Sequence, residues 1–328
     1  MMKAIRVLKF GSPKVLTLQS VELPKITDST VLVQIAAAGV NPVDTYIREG
    51  AFATLPDLPY TPGKDGSGVV HAVGEKVTKI KVGQRVFVCS RRTGQYGTYA
   101  EYSLVPEEDV FPLDDKLSFE EGAALGVAYF TAYRALMLKA KCVAGETVLI
   151  HGASGAVGLA CVQLAKKQGL KVIGTAGTPE GIDLVKDEGA DIAVNHKAKG
   201  YEQEILEKNG NKGADIIIEM LANVNLDKDF DLLSPRGRIA IVGSRGSIKI
   251  DPRKMMGREL QVVGVALLNS INDEWNLISQ GILDGIKDGW VKPVIEKKYS
   301  LEECAAAHED VIHKKSSKGK LILSVAQL

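Results

Sequence analysis

Hydrophobic and polar positions follow two different rhythms along the chain. From Met1 to about Glu121 the apolar runs are short and are separated by glycine and proline, as in "TVLVQIAAAGVNP" and "VGQRVFV". This rhythm is typical of short β-strands joined by turns. From about Gly122 to Ala266 apolar runs alternate with segments of helical periodicity. The pattern therefore predicts a mostly β region followed by a region of alternating strands and helices.

The second region contains six apolar runs that we predict to be strands. They begin near Thr147, Lys171, Asp191, Asp215, Arg238 and Leu260. Strands separated by helices usually form a parallel sheet with helices on both faces, so we predict an α/β, doubly wound parallel sheet. After Ala266 the chain continues with a helical stretch, "DEWNLISQGILDGIKDG", and two further apolar runs, "VKPVIEKKYSL" and "GKLILSV". We expect these two runs to return to the β region as strands.

The first of the six runs ends in a glycine-rich stretch, "HGASGAVG", at His151–Gly158. Apolar residues then recur at helical spacing, so the stretch joins a predicted strand to a predicted helix. Glycine lets a ligand approach the backbone closely, and the first turn of a helix leaves unpartnered N–H groups at the positive end of its dipole. Although the spacing is not the strict G-x-G-x-x-G fingerprint, we interpret this turn as a dinucleotide-binding site.

The residues after the second run bear on which dinucleotide binds. NAD sites usually carry an acidic residue about 20 residues beyond the glycines, which binds the ribose 2′-hydroxyl. Here the second run ends "IGTAGT", with no acid before Glu180 and no arginine either. The missing carboxylate leaves room for the 2′-phosphate of NADPH. The candidate partners of that phosphate are the backbone at Gly177, Thr178, and His196 at the end of the third run.

Composition excludes several classes of protein. A chain of 328 residues exceeds the size at which one hydrophobic core stops growing, so two domains are expected. Its 41 Lys and Arg residues balance 40 Asp and Glu residues, which leaves no overall field to attract nucleic acid or a membrane. No apolar run is long enough to predict a transmembrane helix. The 4 cysteines are widely scattered, as suits reduced thiols, so we expect a cytoplasmic protein.

Several longer stretches resemble the medium-chain dehydrogenase/reductase superfamily, and within it the zinc-free quinone oxidoreductases, or zeta-crystallins. The resemblance spans essentially the whole chain and includes "GVNPVDTYIREG", "LPYTPGKDGSGVV", "VLIHGASGAVGLA" and "IIIEMLANVNL". It implies a mostly β, GroES-like catalytic domain at residues 1–122 and 267–328, and a Rossmann NADPH-binding domain at residues 123–266. It also implies a homodimer or homotetramer, which we expect to be joined along the edge segment "GRELQVVGVALLNS".

The chain departs from the zinc alcohol dehydrogenases of the same superfamily. At the positions where those relatives carry catalytic zinc ligands, this chain has Asn41, Lys64 and Val127, and only Cys89 remains in the region that would hold a structural zinc. A catalytic zinc needs three ligands of the Cys, His or carboxylate type, so we expect no metal. Without a Lewis acid, an electron-poor quinone or enone is a more suitable substrate than an alcohol.

The resemblance also implies roles for individual residues. Tyr46, Asn41 and Tyr60 are candidate catalytic residues of the substrate cleft. Tyr46 is the first choice as proton donor because the resemblance places it beside the nicotinamide; alternatively, its ring only packs against the cofactor. The implied cofactor-binding residues are Tyr46, Thr131, Ser154, Gly155, Ala156, Val157, Gly177, His196, Asn225, Val242, Gly243, Ser244 and Arg245.

The sequence favours an NADPH:quinone oxidoreductase and leaves two alternatives open. The first is an NADPH-dependent reductase of 2-alkenals or enones. The second belongs to another class, because zeta-crystallins are also lens proteins and binders of single-stranded RNA. A basic patch for RNA would consist of Lys314, Lys315, Lys318 and Lys320. A solvated surface turn is the simpler explanation of these lysines, because no aromatic residues for base stacking lie nearby and the net charge is close to zero.

Overall fold

The computed structural model describes residues 1–92, 94–314 and 316–328. The chain divides into two compact units. The β-rich unit contains Met1–Val127, Pro293–Lys314 and Lys320–Leu328. The parallel-sheet unit contains Ala128–Lys292 and the short segment that ends at Gly319. Each unit is built around its own buried apolar clusters, as expected for a chain of this length.

The first part of the β-rich unit alternates short strands with turns, as the apolar pattern predicted. Its elements are β1 (Met2–Val7), β2 (Leu16–Val21), β3 (Thr30–Val40), α1 (Pro42–Glu49), β4 (Asp65–Val73), β5 (Arg85–Cys89), β6 (Tyr102–Pro106), β7 (Val110–Pro112) and α2 (Phe119–Ala123). Short 3₁₀ turns lie at Pro13–Val15 and Glu107–Asp109. Helix α1 begins with proline at its first turn, where the missing N–H costs nothing.

The middle of the chain alternates helices and strands. Its elements are α3 (Gly126–Tyr133), β8 (Thr147–Ile150), α4 (Ala156–Lys167), β9 (Lys171–Ala176), α5 (Pro179–Asp187), β10 (Ile192–Asn195), α6 (Tyr201–Lys208), β11 (Ala214–Glu219), α7 (Ala222–Leu232), β12 (Leu233–Ile241), α8 (Arg253–Met256), β13 (Gln261–Gly264) and α9 (Asn272–Lys287). A π-helical turn, Arg134–Lys139, extends α3, and a 3₁₀ turn lies at Leu267–Asn269.

The six strands of the parallel-sheet unit confirm the predicted doubly wound sheet. They are parallel and lie in the order β10-β9-β8-β11-β12-β13. Val148, Leu149 and Ile150 of β8 are wholly buried, because a central strand of a parallel sheet is covered on both faces. The strand order reverses between β8 and β11, and open parallel sheets bind ligands at the carboxyl ends of the strands at such a reversal.

The end of the chain returns to the β-rich unit, as expected from its two apolar runs. Its elements are β14 (Ile295–Ser300), a 3₁₀ turn at Leu301–Glu303, α10 (Cys304–His313) and β15 (Lys320–Ser324). Strand β15 pairs with β14 on one side and antiparallel with β3 on the other. The resulting sheet has the order β14-β15-β3-β4-β5-β7, and β6 also pairs with β3.

The boundary between the units differs from the expected one. Helix α9 belongs to the parallel-sheet unit, and the chain returns to the β-rich unit at Pro293 rather than after Ala266. The reason is side-chain packing within the parallel-sheet unit. Trp275 of α9 packs against Phe130 of α3, with 5.0 Å between the ring centroids. Arg134 donates a hydrogen bond to Ser270 and forms an ion pair with Glu274.

The thiols and helices agree with the expectations from composition. All four cysteines are free; Cys89, Cys161 and Cys304 are buried and Cys142 is partly exposed. Among the described residues, none of the helices has both the length and the apolar character needed to cross a bilayer.

Candidate cofactor and substrate sites

The glycine-rich turn lies at the carboxyl end of β8 and leads into α4. Gly152 has a positive φ of 58°, which favours glycine. A Cβ atom on Gly158 would lie 2.5 Å from the Gly152 carbonyl oxygen, so the turn closes only with glycine there. Gly155 is the N-cap of α4, and no side chain caps this helix. The backbone N–H groups of Ala156 and Val157 therefore lie at the positive end of the helix dipole, a chemistry that fits the oxygens of a pyrophosphate.

Two basic side chains meet at Gly177, immediately after β9. A Cβ atom on Gly177 would lie 2.9 Å from His196 Nε2 and 3.1 Å from Lys197 Nζ. His196 Nδ1 lies 3.3 Å from Thr175 Oγ1, which leaves Nε2 on the Gly177 side. Burial lowers the pKa of His196, and the charges of His151 and Lys197 add to this effect. Sequence reasoning proposed Gly177 and His196 and did not consider Lys197, whose only signal was its place next to His196.

Two neighbouring positions explain why β9 ends without an acid. Packing leaves no room for a side chain at Gly174, because a Cβ atom there would lie 2.5 Å from Val185 Cγ1 and 3.0 Å from Ala153 Cβ. Thr175 is buried, and its hydroxyl accepts a hydrogen bond from the Gly152 N–H. The predicted N-cap of α5 is confirmed, since the Thr178 side chain accepts from the Gly181 N–H at 3.2 Å.

The short segment that ends at Gly319 packs against the glycine-rich turn. The Gly319 N–H donates to the Ser154 carbonyl at 2.9 Å. Ser317 Oγ lies 3.7 Å from where a Cβ atom of Gly155 would be. Sequence reasoning did not foresee this contact, because the segment is separated from the turn by most of the parallel-sheet unit in sequence.

The basic patch proposed for RNA does not form as predicted. Lys320 is only 3% exposed and forms an ion pair with Asp65, so its charge is not available at the surface. Lys314 forms an ion pair with Glu296. Lys318 is half-buried, and Lys315 lies outside the described residues. The hypothesis failed because sequence spacing did not show the acidic partners of these lysines.

The second group of predicted cofactor residues lies at the carboxyl ends of β11 and β12. The Glu219 carbonyl accepts from the N–H groups of Val242, at 2.8 Å, and Gly243, at 3.2 Å. Asn225, near the start of α7, donates to Glu219 Oε1 at 3.3 Å. The other members are Ser244, which is exposed and donates to the Gly246 carbonyl, exposed Arg245, whose N–H donates to Asn223 Oδ1, and Thr131, which is buried on α3.

A buried cluster of His151, Glu219 and Asp229 contains the side-chain types that bind metals. His151 Nε2 lies 2.9 Å from Asp229 Oδ1 and 3.7 Å from Glu219 Oε2. Two ligands of one tetrahedral zinc are roughly 3.3 Å apart, so the shorter distance is that of a hydrogen bond. Burial opposes a charged imidazole, but the hydrogen bond that His151 donates to Asp229 raises the pKa of His151. Burial also raises the pKa of Glu219. We interpret the group as a hydrogen-bonded cluster.

Asn41 of the β-rich unit is engaged at both ends of its amide. Its Nδ2 donates to Asp65 Oδ2 at 2.9 Å, and its Oδ1 accepts from Lys320 Nζ at 2.5 Å. Lys320 Nζ also lies 2.7 Å from Asp65 Oδ2. Lys64, the second position that resembles a zinc ligand, donates to the Arg92 carbonyl at 3.1 Å. Because Val127 offers no side-chain donor atom, these residues do not fit a catalytic zinc.

Tyr60 and Tyr46 lie in different environments. Tyr60 is 2% exposed, and its hydroxyl has no hydrogen-bond partner among the described residues. Burial raises the pKa of Tyr60 above its ordinary value, so the phenol stays protonated. Tyr60 lines a cavity of about 260 Å³ together with Asp44 and Lys64. Burial lowers the pKa of Lys64 and raises that of Asp44 to about 6. Tyr46 is half-buried on α1.

A chain of hydrogen bonds anchors helix α1 and was not predicted from the sequence. Arg48 Nη1 lies 3.1 Å from His308 Nδ1, His308 Nε2 lies 3.2 Å from Tyr99 Oη, and Tyr99 Oη lies 3.4 Å from Asp44 Oδ2. A guanidinium only donates, so Nδ1 accepts and Nε2 carries the hydrogen. Burial lowers the pKa of His308 to about 3, which keeps the imidazole neutral. The chain ties both ends of α1, and therefore Tyr46, to α10.

These features define a class of protein. A GroES-like unit with a buried polar cluster, together with a doubly wound sheet that carries a glycine-rich turn, is the architecture of the two-domain dehydrogenases and reductases that bind a nicotinamide dinucleotide. Family models agree: residues 27–115 match the alcohol dehydrogenase GroES-like domain, and residues 156–281 match the zinc-binding dehydrogenase domain.

The particular family follows from individual relatives. The chain is 49% identical to a quinone oxidoreductase of Homo sapiens over 324 residues, which cover 98% of both proteins. Among solved structures, an NAD-dependent alcohol dehydrogenase superposes with a TM-score of 0.91 at 29% identity, over 99% of this chain and 100% of the other. A mycobacterial protein complexed with NADPH superposes with a TM-score of 0.88 at 27% identity and the same coverage. The chain belongs to the quinone oxidoreductase family and is an oxidoreductase.

Proposed function

We propose that this protein transfers reducing equivalents from NADPH to quinones without zinc. The observation that carries the proposal is the meeting of His196 and Lys197 at Gly177, beside a strand end that lacks an acid. A carboxylate there would bind the two ribose hydroxyls of NADH and repel a 2′-phosphate, whereas an imidazole and an ammonium attract it. Because Gly177 has no side chain, both basic groups can lie close to its backbone.

The residues of the parallel-sheet unit would hold the cofactor at three places. The N–H groups of Ala156 and Val157 would bind the pyrophosphate. His196 and Lys197 would bind the 2′-phosphate, and Asn225 with the loop after β12 would contact the other half of the dinucleotide. When bound, NADPH supplies a hydride, so the chain's own residues must orient the acceptor and provide a proton.

The β-rich unit supports an acceptor that needs no metal. Asn41 forms hydrogen bonds with Asp65 and Lys320. Together with Lys64 and Val127 it does not form a set of zinc ligands. A quinone, or an alkene conjugated to a carbonyl, already forms a delocalised oxyanion when it receives a hydride, so a hydrogen-bond donor suffices. Tyr46 remains our first choice as that donor, because it is half-exposed, whereas Tyr60 and Asn41 are buried and Asn41 is engaged. Packing of the Tyr46 ring against the cofactor is the competing role.

A steady-state panel tests the substrate and the cofactor together. NADPH and NADH are each supplied with ortho-quinones, para-quinones and 2-alkenals at matched concentrations. The proposal expects the highest kcat/KM for NADPH with a quinone. A higher kcat/KM with 2-alkenals would support the enone reductase instead, and equal turnover of NADH would overturn the cofactor assignment. Tyr46→Phe separates the two roles of that residue, since loss of the hydroxyl lowers kcat only if it donates the proton.

Two further expectations accompany this proposal. We infer a cytoplasmic location from the four free thiols, which suit a reducing compartment. We also infer a homo-oligomer joined at β13, the end strand of the parallel sheet, where Val262 is 37% exposed. RNA binding is not proposed, because the buried Lys320 removes a member of the basic patch.

A further inference from the structure

Glu219, the last residue of β11, contacts both the loop after β12 and the start of α7. Its backbone carbonyl accepts from Val242 and Gly243. Its side-chain Oε1 accepts from the Leu221 N–H and from Asn225 Nδ2. A single buried residue therefore contacts both the first turn of α7 and the loop after β12.

The other carboxylate oxygen, Oε2, is directed into the buried cluster. It lies 3.7 Å from His151 Nε2, and the Glu219 side chain has no exposed surface. His151 is in turn held by Asp229 at 2.9 Å. If the cluster shares a proton, that proton is on the Oε2 side, because Oε1 already accepts two hydrogen bonds. The arrangement at Asn225 is therefore the same in either protonation state of Glu219.

This contact decides which end of the Asn225 amide is available to a ligand. An Oε1 atom that also accepts from a backbone N–H can pair only with the amide nitrogen of Asn225. The amide oxygen is the opposite end of the same planar group. Asn225 is half-buried, so this oxygen is the end that remains for a ligand.

We propose that Glu219 is a positioning residue of the cofactor site: it orients Asn225 so that the amide oxygen accepts a hydrogen bond from a ribose hydroxyl or a carboxamide N–H of the dinucleotide. This inference rests on the proposed function, since it assumes that Asn225 contacts the cofactor. The partner of this amide oxygen is therefore a donor group, because a phosphate oxygen and the amide oxygen both only accept.

The experiment measures the dissociation constant of NADPH by fluorescence titration for Glu219→Ala, Glu219→Gln, Asn225→Ala and the double variant of Glu219→Ala with Asn225→Ala. Asn225→Ala should weaken binding about five- to tenfold, the effect of one lost hydrogen bond. Glu219→Ala should cost about as much. The double variant should be within about twofold of Asn225→Ala, because the two residues act as one unit. Glu219→Gln keeps an accepting oxygen and should bind within about twofold of the unmutated protein.

Effects that multiply in the double variant would overturn the proposal, and so would a Glu219→Gln variant as weak as Glu219→Ala. Glu207→Ala, an exposed carboxylate on α6, is the matched control and should leave binding unchanged. Circular dichroism and thermal unfolding check each variant. Should Glu219→Ala fail to fold, Glu219→Met keeps the volume without an accepting oxygen and carries the same comparison.

The outcomes separate this inference from the proposed function. A protein that binds NADH in place of NADPH overturns the proposed cofactor, and the same variants are then compared with NADH, whose ribose hydroxyls and carboxamide are shared. A protein that binds neither dinucleotide overturns both. A protein that binds NADPH but shows independent effects of Glu219 and Asn225 overturns the positioning role alone.

Discussion

Replacement of His196 by alanine tests the phosphate pocket most directly. Nε2 lies on the Gly177 side, so the variant should remove the proposed hydrogen bond to the 2′-phosphate while Lys197 stays in place. A hydrogen bond to a charged group contributes about 1.5–3 kcal/mol. Because His196 is half-buried and Lys197 is exposed, salt screens the site, and we expect the lower end of that range. This corresponds to about a tenfold weaker binding of NADPH. NADH binding should not change.

The effect should depend on pH in a defined direction. In the free protein burial lowers the pKa of His196, so the imidazole is neutral near pH 7. A bound phosphate dianion raises that pKa, and the protein therefore takes up a proton when NADPH binds. NADPH affinity should rise as pH falls through the pKa of the complex and level off below the pKa of the free protein. The preference for NADPH should fade as pH rises above both values.

The assay is a titration of the dissociation constants of NADPH and NADH at pH 6.5 and at pH 8.5, at two salt concentrations. His313→Ala, which removes an exposed imidazole from α10, is the control and should change neither constant. Equal constants for NADPH and NADH in the unmutated protein at pH 6.5 would refute the reasoning. An acid placed at Gly177 is the complementary variant, since only the flexible ends of His196 and Lys197 must move; Gly174 is unsuitable because of its packing.

Three further predictions concern the metal, the subunits and the buried ion pair. Activity should survive chelators, and the purified protein should carry no stoichiometric zinc; one tightly bound zinc per chain by elemental analysis would contradict the reading of Asn41 and Lys64. Sedimentation at micromolar concentration should show an oligomer, and a clean monomer would count against pairing at β13. Lys320→Met leaves Asp65 buried without its cation and should lower the free energy of unfolding by about 3–5 kcal/mol in denaturant titrations. Lys318→Met is the matched control, and a similar loss there would show that the ion pair is not responsible.

Features set by short-range patterns were predictable from the sequence. The strand, turn and helix around Gly155 are each specified by residues that are close together in sequence. The cap formed by Thr178 and Pro179 is equally local. The six strands of the parallel sheet followed from apolar runs of the right length. These patterns were enough to predict the sheet and the position of the glycine-rich turn.

Features set by long-range packing were not predictable. Lys320 and Asp65 are 255 residues apart, and nothing in either neighbourhood shows that they pair. His308 and Arg48 are 260 residues apart. The unit boundary was misplaced for the same reason, because the helical pattern of α9 gives its apolar face but not the partner that covers it. Candidate residues for catalysis came from resemblance, which could not show that Asn41 is already engaged.

The pairing of the last strand with the third has a consequence for synthesis on the ribosome. Strand β3 lies inside its sheet, yet one of its neighbours is Lys320–Ser324, which is synthesised after residues Ala128–Lys292 of the parallel-sheet unit. Until that strand emerges, the inner end of β3 has an open edge and the buried Asp65 lacks its cation. The parallel-sheet unit, by contrast, has all six of its strands by Gly264. The nascent chain therefore has every strand of the parallel sheet before it has every strand of the β-rich unit's sheet.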